Sequence, residues 1–196
     1  MNTVQPAIYE MFVGELGIIA QQRISKALKD NLVPATKVSF EHITSVKSLG
    51  DELFTISVSV APEHASQAVG ILASTMASLD AGSAVASELN MAKNRYMTAL
   101  DKRAARLFKE NSSYVERCAS AFLYNSPLSS EKEIVAFLRS RDLDINTELA
   151  HFNKVASSIQ KGRCNLVKMS QLGIDVQITG TQKGNDLLFR RKRRII

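Results

Sequence analysis

Two short stretches, VSFEH (Val38–His42) and VAPEH (Val60–His64), each contain part of a zinc-peptidase motif. In that motif, H-x-x-E-H, both histidines bind zinc and the glutamate activates water. Here valine stands where the first histidine is required. The motif needs a helix, but VSFEH alternates as a strand, which turns Glu41 away from the valine and the histidine. Pro62 interrupts VAPEH, so we expect neither stretch to bind zinc.

The three histidines, His42, His64 and His151, are the other residues that could bind a metal ion. A zinc site takes three or four nitrogen, sulfur or oxygen ligands. No two of these histidines have the i, i+4 spacing that brings two imidazoles to one face of a helix. The pattern favours a partly buried His42 in a strand and two surface histidines, so we assign no metal ligand.

Motifs for nucleophilic catalysis or phosphate binding are missing from the sequence. It contains no G-x-S-x-G, no G-x-G-x-x-G and no G-x-x-x-x-G-K-[ST]. Cys118 falls on an apolar helical stripe, which predicts an inert core thiol, and Cys164 is in no CxxC. We therefore assign no catalytic, cofactor-binding or metal-binding residue. The acidic pairs are interpreted as helix-end electrostatics: Glu131 with Glu133, and Asp142 with Asp144.

The basic charge of the chain is concentrated at its C-terminus. The formal net charge is +6, but five basic residues lie in the last seven positions, RRKRRII (Arg190–Ile196). The rest of the chain carries 20 of the 25 basic residues against all 19 acidic ones, so it is close to neutral. Such a tail can bind nucleic acid or an anionic surface, or remain solvated. The lack of interleaved aromatic residues favours the solvated tail, and we do not expect nucleic-acid binding.

The apolar residues are spread too evenly for a membrane protein. No run approaches the 18 or so apolar residues of a membrane helix, and the N-terminus lacks a signal-peptide pattern. We expect no membrane span. The compartment stays open between a cytoplasmic chain and a piece excised from a longer, exported protein of the periplasm or cell envelope. A length of 196 residues suits one domain or two small ones.

Hydrophobic periodicity predicts a helix, a hairpin and then a run of helices. The first helix covers about Ala7 to Asp30, with Arg23 inside its apolar stripe, and its two glycines, Gly14 and Gly17, allow close approach of another backbone. Two alternating strands, VSFEHITSV and LFTISVSV, follow as a hairpin with one face against helices. After Pro62 a helix runs to Asp80, with Gly82 as its C-cap.

Further capping signals predict four more helices and a late strand. Ser83 or Ser87 begins the next helix, on which Val85, Leu89, Ala92, Tyr96, Ala99 and Leu100 form an apolar stripe that also includes Arg103. Basic residues cluster on another side of this helix: Arg95, Lys102, Arg106 and Lys109. The remaining helices are predicted to begin at Asn111, Ser129 and Asn146. A strand follows from Cys164 to Met169, and IDVQITG forms a short strand or loose chain.

The order of helix, hairpin and further helices, together with several stretches of the sequence, resembles the M16 zinc metallopeptidases (insulinase, pitrilysin and mitochondrial-processing-peptidase relatives). LGIIAQQRISKAL is similar to a family helix that reads leucines and then Gln-Arg-Leu/Ile. DAGSAVASELNMAKNRYMTAL is similar to the family's Gly-Phe-Thr-x-x-Glu-Leu segment, with Gly82, Ser83, Glu88 and Leu89 in the matching roles. The aromatic after glycine is missing and the spacing is one residue longer. Three further stretches carry the resemblance: LFTISVSVAPEHASQAVGILASTMASL, ENSSYVERCASAFLYNSPLSSEKE and DINTELAHFN.

The resemblance is to the family's non-catalytic domain, and it implies an α+β fold. In the LuxS/MPP-like metallohydrolase fold, helices pack on one side of an antiparallel sheet. This implies an inactive M16 domain over residues 1–172 and a short strand or loose basic tail over 173–196. Zinc is expected only in the catalytic domain of the parent, and no zinc ligand is carried over. The family's substrate-holding Arg and Tyr have no counterpart. The strand that precedes the first helix in the family has no counterpart either, which suggests a trimmed chain.

The sequence leads to two hypotheses for the function of this chain. The first is a non-catalytic M16 domain that forms part of the peptide-holding chamber of a zinc metalloendopeptidase and supports the catalytic domain. Its partners are then that domain, in the same parent chain, and the parent's peptide substrate. This chain alone is expected not to be an enzyme. The alternative is a stand-alone helical interaction module whose basic tail binds nucleic acid or an anionic surface.

Overall fold

A computed structural model describes residues 4–44, 52–107, 131–141, 143–160, 164–168, 176–180 and 190–191, and six helical residues between 112 and 122. Over these residues the chain combines helices with antiparallel strands, so the α+β class predicted from the sequence is confirmed. The helices are α1 Val4–Asp30, α2 Ala65–Asp80, α3 Ala86–Leu107, α4 Glu131–Ser140 and α5 Ile145–Gln160. The strands are β1 Ala35–Thr44, β2 Glu52–Val60, β3 Cys164–Lys168, β4 Val176–Gly180 and β5 Arg190–Arg191.

Helix α1 is the centre of the core. It contacts β1 together with α2, α3 and α5, and the predicted stripe through Met11, Leu16 and Ile19 is buried. Apolar side chains also occupy other sides of α1, so the helix is covered by several elements at once. It begins at Val4, three residues before the predicted start. Further buried apolar residues of α1 are Phe12, Val13, Ile24 and Leu28.

Strands β1 and β2 form the predicted hairpin. Directly opposed residues include Val38 with Val58, Phe40 with Ile56 and His42 with Phe54, which lie on one face. Val38, Ile56 and Val58 pack against the helical core, while Glu41, Ser57 and Ser59 on the other face are exposed. The period-two alternation therefore predicted both the pairing and the face that is covered.

The two glycines of α1 are covered by aromatic rings. Gly17 lies under the ring of Phe40 from β1, and Gly14 lies under the ring of Tyr96 from α3. A Cβ atom at either position would overlap the ring above it. The sequence predicted the close approach of another backbone at these glycines, and the structure has aromatic side chains there instead.

Helices α1 and α2 end in the same kind of turn. Gly82 has φ 73° and donates its N–H to the Leu79 carbonyl at 3.0 Å, while the Ser83 N–H bonds the Ser78 carbonyl at 3.3 Å. This pair of hydrogen bonds is the Schellman cap, and it confirms Gly82 as the cap residue. After α1 the corresponding position is held by Leu32, at φ 56°.

Two helices begin at residues other than those predicted. Helix α3 begins at Ala86, where the Glu88 carboxylate accepts the Val85 N–H at 3.1 Å, so neither Ser83 nor Ser87 is the N-cap. In α5 the Asp144 carboxylate accepts the N–H groups of Asn146 and Thr147, at 3.1 and 3.2 Å. Asp144 therefore takes the capping role predicted for Asn146. Asp144 is thus the helix-end acid that its position suggested.

The apolar stripe of α3 is narrower than predicted. Leu89, Ala92 and Leu100 are buried, but Val85 and Ala99 are exposed. Ala104 is buried in place of its neighbour Arg103, which is exposed. Two members of the predicted basic cluster, Arg95 and Lys102, are exposed, whereas Lys109 and the side chain of Arg106 lie outside the described residues.

The C-terminal strands form a second antiparallel sheet in the order β3-β4-β5. Strand β3 begins at Cys164 as predicted, and within IDVQITG the residues Val176–Gly180 form the strand β4. Arg190 and Arg191, predicted as part of a loose tail, pair with Thr179 and Ile178 of β4. The prediction was wrong for these two residues, because backbone pairing does not require an apolar sequence.

Candidate functional site

The histidines lie at separate places in the fold. His42 is half-buried in β1, as predicted, and His151 is exposed on α5, where its ring meets Phe12 edge-on at 6.5 Å. His64 ends the short 3-10 helix Pro62–His64 and is half-buried, although the sequence predicted a surface position. In the part of the chain that the structure describes, no three His, Cys, Asp or Glu side chains lie close enough to hold a metal ion.

The two Glu-His stretches have the geometry expected from the sequence. In VSFEH, Glu41 is exposed on one face of β1, while Val38 and His42 are half-buried on the other. VAPEH begins at Val60, the last residue of β2, and ends in the 3-10 helix. A histidine at either valine would therefore not complete H-x-x-E-H, whose residues must share one helix.

Cys118 is not the buried core thiol that its helical stripe predicted. It is helical, exposed and without a disulfide partner. Its neighbours on that stripe, Tyr114 and Phe122, are exposed as well, by 46% and 88%. The side chain of Cys164 lies outside the described residues.

A cluster of four charged residues lies where α1, α3 and α5 meet the end of α4; its members are Glu15, Lys93, Arg141 and Glu148. The Lys93 ammonium donates to both carboxylate oxygens of Glu148 at 2.9 Å. The Glu148 side chain is only 3% exposed, whereas that of Lys93 is 26% exposed. Because the carboxylate is removed from water, this ion pair satisfies a charge that would otherwise be costly to bury.

Glu15 is the most unusual member of this charged cluster. It is 1% exposed, and among the described residues neither carboxylate oxygen has a hydrogen-bond partner. The pKa of Glu15 is raised to about 8, mainly by burial and in addition by the negative charge of Glu148, while Lys93 and Arg141 act in the opposite direction. The carboxyl group is therefore protonated and neutral at pH 7.

Arg141, directly after α4, is the other incompletely satisfied member. Its Nη1 atom is buried and has no hydrogen-bond partner among the described residues. The guanidinium carbon lies 6.0 Å from the centre of the Phe12 ring, at the outer limit of a cation–π contact. Arg141 is thus half-buried, with one guanidinium nitrogen removed from water.

A cleft of about 580 Å³ opens beside the charged cluster, between α3 and α4. Three cations line it, Lys93, Arg139 and Arg141, together with one acid, Asp101. Arg139 pairs with Asp101 at 2.5 Å, but both side chains are well exposed, by 59% and 42%. This pairing is a surface ion pair and contributes little to stability.

A second charged network joins α1 to the turn before α3. Arg23 donates from Nε and Nη2 to the two carboxylate oxygens of Glu88, at 2.8 and 2.6 Å. It also donates to the Ser83 hydroxyl at 2.7 Å and the Ser83 carbonyl at 2.8 Å. The Arg23 hydrogen bond is the main cause that lowers the pKa of Glu88 from its usual value. The arginine inside an apolar stripe is thus explained by an acid and a turn that come much later in the sequence.

Sequence reasoning assigned no role to the members of the charged cluster. Glu15 is four residues from both Met11 and Ile19, and Lys93 is four residues from Leu89, so each belongs to a buried helical face. That spacing was the available signal. In the sequence Glu148 is one acid in the first turn of a predicted helix, and nothing there indicates that it pairs with Lys93.

Comparison of the chain with protein-family models, curated proteins and solved structures finds no match. Among the described residues, none of the helices is both long enough and apolar enough to cross a membrane.

Proposed function

We propose that this chain is a non-catalytic domain of an M16-type zinc metallopeptidase. It builds part of the wall of the peptide-holding chamber and supports the catalytic domain of its parent protein. The domain itself carries no zinc. The proposal has its origin in the resemblance of several sequence stretches to that family, together with the order of helix, hairpin and helices.

The observation that carries the proposal is the pairing of Arg23 with Glu88. Arg23 belongs to the Gln-Arg-Ile stretch and Glu88 to the Glu-Leu stretch, two of the places that carry the resemblance. They lie 65 residues apart, yet they meet in a two-point ion pair at 2.6 and 2.8 Å. If the two stretches recur together in the family because they pack against each other, they are expected to be in contact, as Arg23 and Glu88 are here.

Gly82 and Ser83 support the same interpretation, since both belong to the second stretch. Gly82 supplies the positive φ that the turn requires, and Ser83 receives two hydrogen bonds from Arg23. The turn between α2 and α3 is thereby fixed to α1, which also carries the hairpin through Phe40 and Gly17. A wall element of a chamber needs such a rigid connection between its sheet and its helices.

The coding sequence on either side of this chain provides the first test. We expect an H-x-x-E-H motif in a neighbouring domain of the same parent protein. In the biochemical test, the chain alone is loaded with zinc and given a fluorogenic peptide library, and then mixed with the zinc-bearing domain. We expect no hydrolysis from the chain alone and a higher rate from the mixture than from the zinc-bearing domain by itself.

The control for this test is an Arg23→Met variant, which breaks the Glu88 pairing without altering the hairpin. It should lower the stimulation by weakening the fold, while leaving the zinc-bearing domain unaffected. Zinc-dependent peptide hydrolysis by the chain alone would contradict the proposal, as would a parent gene without H-x-x-E-H.

A further inference from the structure

The cleft between α3 and α4 has an excess of positive charge. Lys93 is neutralised by Glu148, and Arg139 by Asp101. Arg141 is left as the third cation, and its Nη1 has no acceptor in the part of the chain that the structure describes. Among the described residues, the cleft therefore carries about one uncompensated positive charge.

Glu15 is a nearby acid that could compensate this charge, but in the described part of the chain neither of its oxygens accepts a hydrogen bond. Burial raises the pKa of its carboxyl group to about 8, which keeps it mostly protonated at pH 7. A buried guanidinium nitrogen without an acceptor is unfavourable, because it has lost water and gained no partner. Arg141 also lines the cleft, so an anion bound there would lie beside its guanidinium group.

The remaining walls of the cleft suit a small, partly apolar anion. Asn94 and Thr98 supply polar groups, while Met97 and Leu138 supply apolar surface. A volume of about 580 Å³ lies within the range of small-molecule sites. The planar fork of arginine matches the oxygens of a carboxylate or a phosphate group, and this match gives geometric selectivity as well as charge.

We propose that this cleft binds a small oxyanion, with a carboxylate or phosphate group held by the guanidinium of Arg141. Arg139 and Lys93 at the rim contribute attraction at longer range, and their present acidic partners keep them oriented. The assignment does not depend on the chain being a peptidase domain, so the two proposals stand or fall separately.

The test is a titration of the isotope-labelled protein followed by NMR, at constant ionic strength maintained with sodium chloride. The probes are inorganic phosphate in one series and succinate in the other. We expect saturable shifts of the backbone amides of Asn94, Thr98 and Arg141 with at least one probe. If only phosphate saturates, the ligand carries a phosphate group, and if only succinate does, it carries a carboxylate.

Two variants localise the binding. Arg141→Gln should weaken it about tenfold or more, since it removes a charge-assisted hydrogen bond. Lys29→Gln removes the same charge from the exposed end of α1, roughly 21 Å along the helix from Glu15, and should change the affinity less than about twofold. Arg139→Gln affects only an exposed ion pair, so it should fold normally and weaken binding by a few-fold.

The proposal is overturned if neither probe gives saturable shifts at the three cleft amides. It is also overturned if Lys29→Gln weakens binding as much as Arg141→Gln does, because binding would then reflect net charge alone. Should Arg141→Gln fail to fold, the shifts in the unsubstituted protein and the effect of Arg139→Gln decide the question.

Discussion

Glu15 gives the protein a pH dependence that an all-apolar helix would lack. The pKa of Glu15 is about 8 in the fold against about 4.5 for an ordinary glutamate, so between these pH values the folded chain holds a proton that the unfolded chain has released. The free energy of unfolding therefore falls as the pH rises from about 4.5 to about 8, by at most about 1.4 kcal/mol per pH unit. Below pH 4.5 this contribution is fully present.

A Glu15→Gln variant cannot ionise, so it should lose this slope and exceed the unsubstituted protein in stability at pH 9. Urea unfolding at pH 5, 7 and 9 measures the effect. Glu10→Gln, at an exposed position of the same helix, is the matched control and should leave the pH profile unchanged. Parallel profiles for Glu15→Gln and the unsubstituted protein would show that Glu15 is ionised in the fold.

Lys93 and Arg139 offer a direct comparison of a buried and an exposed ion pair. Lys93→Met should destabilise the protein by about 3 to 5 kcal/mol, because it leaves the Glu148 carboxylate buried without a partner. Arg139→Met, which breaks the exposed pair with Asp101, should cost no more than about 1 kcal/mol. Urea unfolding at pH 7 compares them, and equal losses would contradict the burial argument.

For single residues, the sequence predicts whether a side chain lies on a buried face better than it predicts which residue that side chain contacts. The four-residue spacing from Met11 to Glu15 and on to Ile19 is enough to put the glutamate on a buried face. It does not reveal that Lys93 and Arg141 come close to it, because they lie on elements that begin more than 70 residues later. Contacts between distant segments depend on packing and not on local pattern.

Among the elements, α1 depends on glycine where β1 crosses it. Gly17→Ala should destabilise the protein by roughly 1 to 3 kcal/mol, because the added methyl group overlaps the Phe40 ring. Gly70→Ala is the matched control: Gly70 lies inside α2, and its added methyl group meets no atom within 4 Å. That variant should gain up to about 1 kcal/mol from helix propensity.

Thermal and urea unfolding of both alanine variants provide the measurement. Adding Phe40→Ala to the Gly17→Ala chain should recover part of the loss relative to the sum of the single changes, because the overlap is then gone. An equal gain in stability for Gly17→Ala and Gly70→Ala would mean that the Phe40 ring moves aside without an energetic cost.

Local pattern predicted the elements well where the cause is local. Strand alternation indicated the hairpin, and Gly82 indicated the end of α2. The starts of α3 and α5 were assigned to the wrong residues because serine and asparagine compete with acids for the capping position. Ser83 instead bonds to Arg23, a partner from another helix.

For the molecule as a whole, the leading proposal and the interaction-module alternative differ in the role of the basic C-terminus. The backbone of Arg190 and Arg191 is paired with β4. We expect no electrophoretic mobility shift of single-stranded or duplex DNA at 50 mM salt. A shift that is lost on deleting Arg190–Arg194, and that weakens steeply with salt, would favour the alternative instead.

The overall class was predictable, whereas the arrangement around the cleft was not. Element types and order followed from periodicity and caps, and they gave an α+β chain with a hairpin covered by helices. The cleft needs the relative placement of α3, α4 and Arg141, for which the sequence holds no local signal.

The two partners of the Arg23–Glu88 ion pair are synthesised at different times as the chain grows. Glu88 follows Arg23 by 65 residues, so at a synthesis rate of 5 to 20 residues per second it emerges about 3 to 13 s later. During that interval α1 has been made but lacks its ion-pair partner and the helices that bury Met11, Leu16 and Ile19. Of the helices described in this chain, α1 is therefore made first and is among the last to be fully enclosed.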